Sequence, residues 1–407
     1  MERREFLTLA GTVAVGTAMR NGLAEPISHS PFRVSHSQTP TLGPAVFAQR
    51  IERLQAELKT RKLELYVAEP GTNFQYLTGY NPGRSERLIL LMIPVSGTPA
   101  VVCPSFEVER LKRNSAITDV RGWEEQQDPW GLVKTAGREM KPAHRNGTAA
   151  VEPSTSYQSF LHLEDGLGGW KFVEGGAITE RLRIIKSPEE IALIRRAIAA
   201  TEASIAATFS QLAAGMTERD VATTLSREMS DRGSPGGGLV QFGPSSALPH
   251  GGPSAGQLAR ETVVLIDAGS RIEGYTSDIT RTIWFGDAPA AEFKKVYNLV
   301  HDAQTAAIET GKPFTTQCQE LDRAARKVIT DAGYGPYFTH RLGHGMGMDG
   351  HEAPYMVEGN ETRIEPGMVF TDEPGIYQLN KFGVRIEDDC LMTENGIEVL
   401  SHRAAKL

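Results

Sequence analysis

Four acidic residues and one histidine in the second half of the chain, Asp267, Asp278, His344, Glu373 and Glu387, constrain its folding more than any other feature. Each stands in a segment that would bring a metal-binding side chain to the edge of one cavity. Four carboxylates gathered in a small space repel one another and resist ionisation. Divalent cations remove that conflict. Two of them balance four negative charges, and hard oxygen ligands with one imidazole suit Mn2+, Co2+, Fe2+ or Zn2+. The pattern points to a dinuclear metallohydrolase.

Residues 261–285 (ETVVLIDAGSRIEGYTSDITRTIWF) read as a β-hairpin, two β-rich runs about a glycine-containing turn. Strand alternation puts Val263, Leu265 and Asp267 on one face, and Asp278, Thr280 and Thr282 on another. A fold about Ile272 and Glu273 sets the two aspartates opposite each other, close enough to hold one metal pair. MVFTDEPGIY and GVRIEDDCLMT read as strands carrying Glu373 and Glu387, with Asn395-Gly396 as the hairpin turn after the second. Asp372 and Asp388 alternate to the opposite face and read as supporting residues. His344 stands in RLGHGMGMDGHE, where glycines let the backbone come close to a ligand.

These segments, in this order, resemble the pita-bread-fold metallopeptidases, the family of methionine aminopeptidase, aminopeptidase P and prolidase. LIDAG and YTSDITRT look like that family's two aspartate segments, GHGMGMDGHE its histidine segment, and TDEPGIY and VRIEDD its two glutamate segments. The resemblance implies that Asp278 and Glu387 bridge two metal ions, that Asp267 chelates one, and that His344 and Glu373 complete the other. It implies a hydroxide bridging the two ions, whose charge lowers the pKa of bound water; Glu373 accepts the proton as the scissile carbonyl is attacked. His250, in SSALPHGGP, and His351, seven positions after His344, match the family's substrate histidines. His250 suits an amide-facing or oxyanion-facing role, and His340 is expected to bind substrate. Arg385, two positions before Glu387, either pairs with a ligand carboxylate or takes the substrate's carboxylate through its planar fork. Its presence leans the reading towards the proline-specific members.

The preceding stretch resembles the N-terminal domain shared by aminopeptidase P, prolidase and creatinase. FAQRIERLQAELKTRKL carries Phe47, Ile51, Leu54 and Leu58 at helical spacing. LELYVAE, NFQYLTGY, RLILLMIP and TPAVVCP read as strands and turns. IIKSPEEI opens a helix with Ser187 as N-cap, Pro188 in its first turn and Glu190 closing a capping box, and Thr217 with Asp220 starts another. The expected architecture is α+β, a smaller creatinase-like α/β domain over residues 45–180 followed by a pita-bread catalytic domain over residues 181–407.

Several function classes are disfavoured. The metal-free creatinase branch lacks the full ligand set, which is complete here. Net charge is −7 and no long Lys/Arg tract offers a phosphate-tracking surface, so nucleic acid is not an expected partner. Cys103, Cys318 and Cys390 are odd in number and scattered, which fits neither a disulfide framework nor a zinc site.

At the N-terminus, MERREFLTLAGTVAVGTAMRNGLA resembles a twin-arginine export signal, with Arg3-Arg4 ahead of an apolar run too short for a comfortable membrane span. Residues 1–24 are expected to be that signal and residues 25–44 a Pro/Ser-rich linker, giving export to the periplasm by the twin-arginine machinery. The whole reads as an exported dinuclear metallopeptidase cleaving the bond before proline, as an Xaa-Pro aminopeptidase or dipeptidase. Mn2+ is the favoured metal, and a homodimer is expected from the resemblance. Proline has no N–H, so its ring must be recognised by shape, and Phe242 and Tyr355 are candidates for lining that pocket. The alternatives are a metallo-amidohydrolase acting on a small non-peptide amide, and a non-catalytic metal-binding protein of the same fold.

Overall fold

Helical spacing of Ile51, Leu54 and Leu58 creates one apolar stripe, and helix α1 (Pro44–Arg61) buries it together with Arg50. This computed structural model describes residues 42–140, 147–252 and 256–407. The expected export signal, and all but the end of the expected linker, lie outside the described residues.

After α1 come β1 (Leu65–Ala68), α2 (Thr72–Thr78), β2 (Leu90–Pro94), β3 (Ala100–Pro104), α3 (Val108–Asn114), β4 (Asp119–Trp123) and α4 (Pro129–Glu139). β5 (Thr148–Val151), α5 (Tyr157–Gly166), β6 (Lys171–Glu174) and α6 (Gly176–Arg183) complete the amino-terminal region. Its six strands form one mixed sheet in the order β4-β3-β2-β1-β5-β6. Alternate residues serve opposite faces. Tyr66, Ala68, Leu91 and Ile93 pack into one core, and Leu65, Val67, Leu90 and Met92 into another. Burial on both faces explains why these strands read as continuous apolar runs. NFQYLTGY differs from expectation. It forms α2, bounded by Gly71 and by Gly79 at φ 85, with Phe74, Tyr76 and Leu77 buried. A run this short carries too little periodicity to separate a helical turn from a strand.

The second region opens on α7 (Pro188–Ser210), where the Ser187–Glu190 capping box forms in both directions. α8 (Glu218–Asp231) follows with its own box between Thr217 and Asp220. These helices cover a sheet ordered β10-β8-β7, built from β7 (Gly236–Phe242), β8 (Thr262–Ile272) and β10 (Ile279–Phe285), with the short β9 (Tyr275–Thr276) paired to β8. The device then repeats. α9 (Ala291–Thr310) and α10 (Cys318–Asp331) precede β11 (Gly343–Gly345), β12 (Glu352–Met356), β13 (Val369–Asp372), β14 (Gly375–Gln378), β15 (Phe382–Arg385), β16 (Asp388–Thr393) and β17 (Gly396–Val399). Five of these strands form a sheet in the order β12-β11-β13-β16-β17, and β14 pairs with β15. Among the described residues no helix is long and apolar enough to cross a membrane.

Two turns sit one residue away from their expected places. Ile272 pairs with Tyr275, so the first hairpin turns on Glu273-Gly274, both at positive φ. Asp267 consequently opposes Thr280 and not Asp278. In the second, Thr393 pairs with Gly396, leaving Glu394-Asn395 as the turn. Positive φ at both Glu273 and Gly274 suits the strand twist of a tight hairpin.

The two regions are joined by a buried charge cluster. Arg50 donates to Glu190 Oε1 at 2.9 Å, to the Tyr275 hydroxyl at 2.7 Å and to the Tyr76 carbonyl at 2.9 Å. The Tyr275 hydroxyl donates in turn to Glu190 Oε1 at 2.6 Å. Removing one member of such a cluster leaves an uncompensated buried charge, at a cost of about 3–5 kcal/mol.

Candidate metal centre and active site

Strands and the breaks between them deliver the five ligand candidates to one place. Asp267 lies on β8, and Asp278 sits in the break between β9 and β10, where its N–H donates to Asp389 Oδ2 at 3.1 Å. Glu373 follows β13 and Glu387 precedes β16. The Glu387 N–H donates to the Thr280 carbonyl at 3.1 Å, which ties the second sheet to the first at the point where carboxylates from both must meet. Thr280 Oγ1 also donates to Glu387 Oε2 at 2.5 Å, and Thr371 Oγ1 to Glu373 Oε1 at 3.2 Å.

The glycines around His344 give its strand room between its neighbours. A Cβ at Gly343 would collide with the Thr371 carbonyl, and one at Gly345 with the Ala353 carbonyl. They let β11 squeeze between β13 and β12, with a register shift at His344/Gly345 that turns the imidazole inward.

Ligand atoms of Asp267, Asp278 and Glu387 lie within 4.8 Å of one another, as do those of His344, Glu373 and Glu387. A third group, Asp278, His344 and His351, meets the same limit. Burial, and then the charges of neighbouring carboxylates, push the Asp278 and Glu373 carboxyls well above their ordinary range. Burial followed by Asp267 raises Glu387 to about 7. His344 moves the other way, to about 3, through burial and then the nearby His351. Its Nδ1 lies 3.1 Å from the Gly345 carbonyl, an acceptor only, so Nδ1 carries the proton. The lone pair on Nε2 then faces Glu373 Oε1 at 3.3 Å and Asp278 Oδ2 at 3.9 Å. Acids that resist ionisation beside a neutral imidazole with a free lone pair form a donor set suited to divalent cations.

A cavity of about 500 Å3 opens on this cluster, with His250, His340, Arg341 and His351 around its walls. Arg385 is buried. Its NH2 group pairs with Asp267 Oδ2 at 2.6 Å, its Nε donates to Thr280 Oγ1 at 3.0 Å, and its NH1 donates to the Tyr377 hydroxyl at 2.9 Å. Of the two expected uses for Arg385, this geometry is the pairing with a ligand carboxylate. The Tyr377 hydroxyl donates to His340 Nε2 at 2.8 Å, because His340 Nδ1 donates to the Arg341 carbonyl at 2.7 Å. Burial lowers His340 to about 4, so the ring is neutral. Both His340 nitrogens are therefore used by the protein, and the residue reaches the centre through Tyr377, Arg385 and Asp267. Of the two candidates for a proline pocket, Phe242 belongs to the buried core, while Tyr355 is half-buried beneath the Arg341 guanidinium.

Tyr377 and Arg341 escaped the sequence reading. Tyr377 shares a strand face with Gly375, whose missing side chain leaves the space its ring occupies. Arg341 was hidden by its neighbours, since a cation between two histidines carries no spacing signal of its own.

Fold and centre together define a dinuclear metallohydrolase built on a two-domain scaffold. Residues 192–394 match metallopeptidase family M24, and residues 50–185 match the creatinase/prolidase N-terminal domain. The chain is 35% identical over 359 residues to an Xaa-Pro dipeptidase of Lactobacillus helveticus, covering 86% of this chain and 96% of that one. A prolidase from Thermococcus sibiricus superposes with a TM-score of 0.82 at 32% identity, covering 89% of this chain and 98% of its own. The dipeptidase PepE from Mycobacterium ulcerans gives 0.82 at 34% identity, with 90% and 99% covered. The chain belongs to metallopeptidase family M24, a dinuclear metal-dependent family, and carries the creatinase-type N-terminal domain ahead of the pita-bread domain.

Proposed function

We propose that this protein is an Xaa-Pro dipeptidase of the prolidase type, hydrolysing the peptide bond that precedes proline. The observation that supports it most is the convergence of Asp267, Asp278, His344, Glu373 and Glu387 under a cavity walled by His250 and His351, in a chain that matches 96% of the length of an Xaa-Pro dipeptidase. A bound pair of divalent ions would be held by those five residues and would supply an acidified water and Lewis-acid polarisation of the carbonyl. Glu373, beside His344 on the wall of the cavity, is the carboxylate assigned to take up the proton released during attack. His250 and His351, on the wall of that cavity, are assigned to the amide and the developing oxyanion. Arg385 holds Asp267 in place, and His340 holds Arg385 through Tyr377. The metal-binding-only and non-peptide-amide readings gain no support from relatives of this kind.

Mn2+ as the working metal and a homodimeric state belong to the same proposal. So does export through the twin-arginine route, which rests on Arg3-Arg4 and the apolar run after them. Fusing residues 1–44 to a reporter should carry it to the periplasm, and an R3K/R4K pair should hold it in the cytoplasm. A reporter exported equally by both would end that part of the reading. The main test is amine release from Xaa-Pro and from Xaa-Pro-Xaa-Xaa by the Mn2+-loaded protein, with a chelator control. Chelator-sensitive cleavage of the dipeptide alone is expected. Cleavage of the longer peptide would make it an aminopeptidase P, and cleavage of neither with metal bound would defeat both assignments.

A further inference from the structure

His351 is exposed at the edge of the metal cavity. Its ring lies over His344 with centroids 3.8 Å apart, and its Nδ1 is 3.4 Å from Arg341 NH2. It lines the metal cavity on one side and, on the other, a cavity of about 460 Å3 between the two regions. With a cavity on each of two flanks, the ring's place depends on His344, on Arg341 and on the backbone that carries it.

That backbone, the loop from Met346 to His351, is held from two directions. On the catalytic side, the Thr276 N–H and hydroxyl donate to the Gly347 carbonyl at 2.8 and 3.1 Å. On the other side, the amino-terminal region grips Asp349, two positions before His351. Thr72 Oγ1, in the first turn of α2, donates to Asp349 Oδ1 at 2.6 Å. Arg183, the last residue of α6, donates to Asp349 Oδ2 at 2.7 Å and also pairs with Glu352, the residue after His351. Glu352 is held further by Lys186 at 2.9 Å. Arg183 itself is fixed by Asn73, which in turn donates to the buried Glu152 at 2.8 Å.

We propose that Asp349 is a positioning residue, through which Thr72 and Arg183 of the amino-terminal domain set His351 against the metal centre. The amino-terminal domain thereby takes part in turnover and does more than wall the cavity. A displacement of about 1 Å at a reacting group can cost up to about a hundredfold in rate, so partial loosening of this grip is worth about tenfold.

The inference rests on the proposed role of His351, and a double-mutant cycle separates the two. Thr72→Val, Asp349→Asn and His351→Ala are made in the full, Mn2+-loaded protein, alone and combined, and assayed on an Xaa-Pro dipeptide with metal content measured. Thr72→Val removes one hydroxyl and Asp349→Asn keeps the side chain's shape, so both should fold. Each is expected to lower kcat about tenfold with KM within about twofold and metal content unchanged, the pattern of an interaction lost in the transition state. Neither should lower the rate further once His351 is Ala, because coupled residues are not additive. If Asp349→Asn costs the same factor with and without His351, or Thr72→Val turns over like wild type, the positioning role is wrong. If His351→Ala alone leaves kcat unchanged, the assignment of His351 falls first.

Discussion

Asp278→Asn should lower kcat/KM by about a thousandfold or more, equivalent to about 4 kcal/mol of lost transition-state stabilisation, and yet raise the melting temperature of the metal-free protein. Both effects come from one carboxylate. Its oxygens lie within ligand distance of Asp267 and Glu387 on one side and of His344 on the other, so it is central to holding cations. Without cations it is a half-buried acid held well above its ordinary pKa by desolvation and by Glu387, Asp267, Asp389 and Glu373. The folded state then disfavours its ionised form, and an amide of the same shape relieves that penalty. The N–H bond to Asp389 belongs to the backbone and survives the substitution. Dipeptide turnover, metal content and thermal unfolding in chelator and in Mn2+ give the readings. A variant that binds both ions and works at the wild-type rate would remove Asp278 from the centre.

Arg385→Met carries the second large effect, and its size depends on metal. Burial works against the charge on Arg385, but Tyr377, Asp267, Glu387 and Glu373 together outweigh it. In metal-free protein the guanidinium pairs with Asp267 at 2.6 Å and approaches Glu387 at 3.9 Å. Its removal should cost about 3–5 kcal/mol there, and much less when bound cations balance the same carboxylates. The pH dependence has a definite sign. Glu387 keeps its proton up to about 7 when folded and releases it near 4.5 when unfolded. Between those values the folded state binds more protons, so metal-free stability falls as pH rises through the window. Arg385 pulls Glu387 downward, and losing it extends the window upward. Thermal unfolding at pH 5 and pH 8, with chelator and with Mn2+, measures both parts. Equal destabilisation under all four conditions would mean that Arg385 acts by packing and not by charge.

The ligand positions were legible because several stand beside residues with strong local signals: Gly269 two positions after Asp267, Pro374 after Glu373, a second acid after Glu387. The capping boxes at Ser187 and Thr217 were equally plain, since a helix start is written in four consecutive residues. Register was not. Alternation specifies which face a residue takes, but the Glu273-Gly274 turn decides which residue it meets, and a slip of one position moved Asp267 opposite Thr280. Contacts across long stretches of chain were hidden for a different reason. Nothing near Asp349 announces that Thr72 will bond to it from 277 positions away. Likewise, the chain His340–Tyr377–Arg385–Asp267 exists only once two sheets have docked.

The join at Arg50 bears on how such a scaffold can change over time. Glu190 uses one oxygen to cap α7 and the other to receive Arg50, so a single side chain begins one domain and fastens it to its neighbour. A lineage that exchanged the first domain for another cover would have to bring a new cation to the same spot, or give up the acid together with the helix start it supports. The Arg50–Glu190 contact thus ties the start of one domain to the presence of the other, at a point with no chemistry of its own.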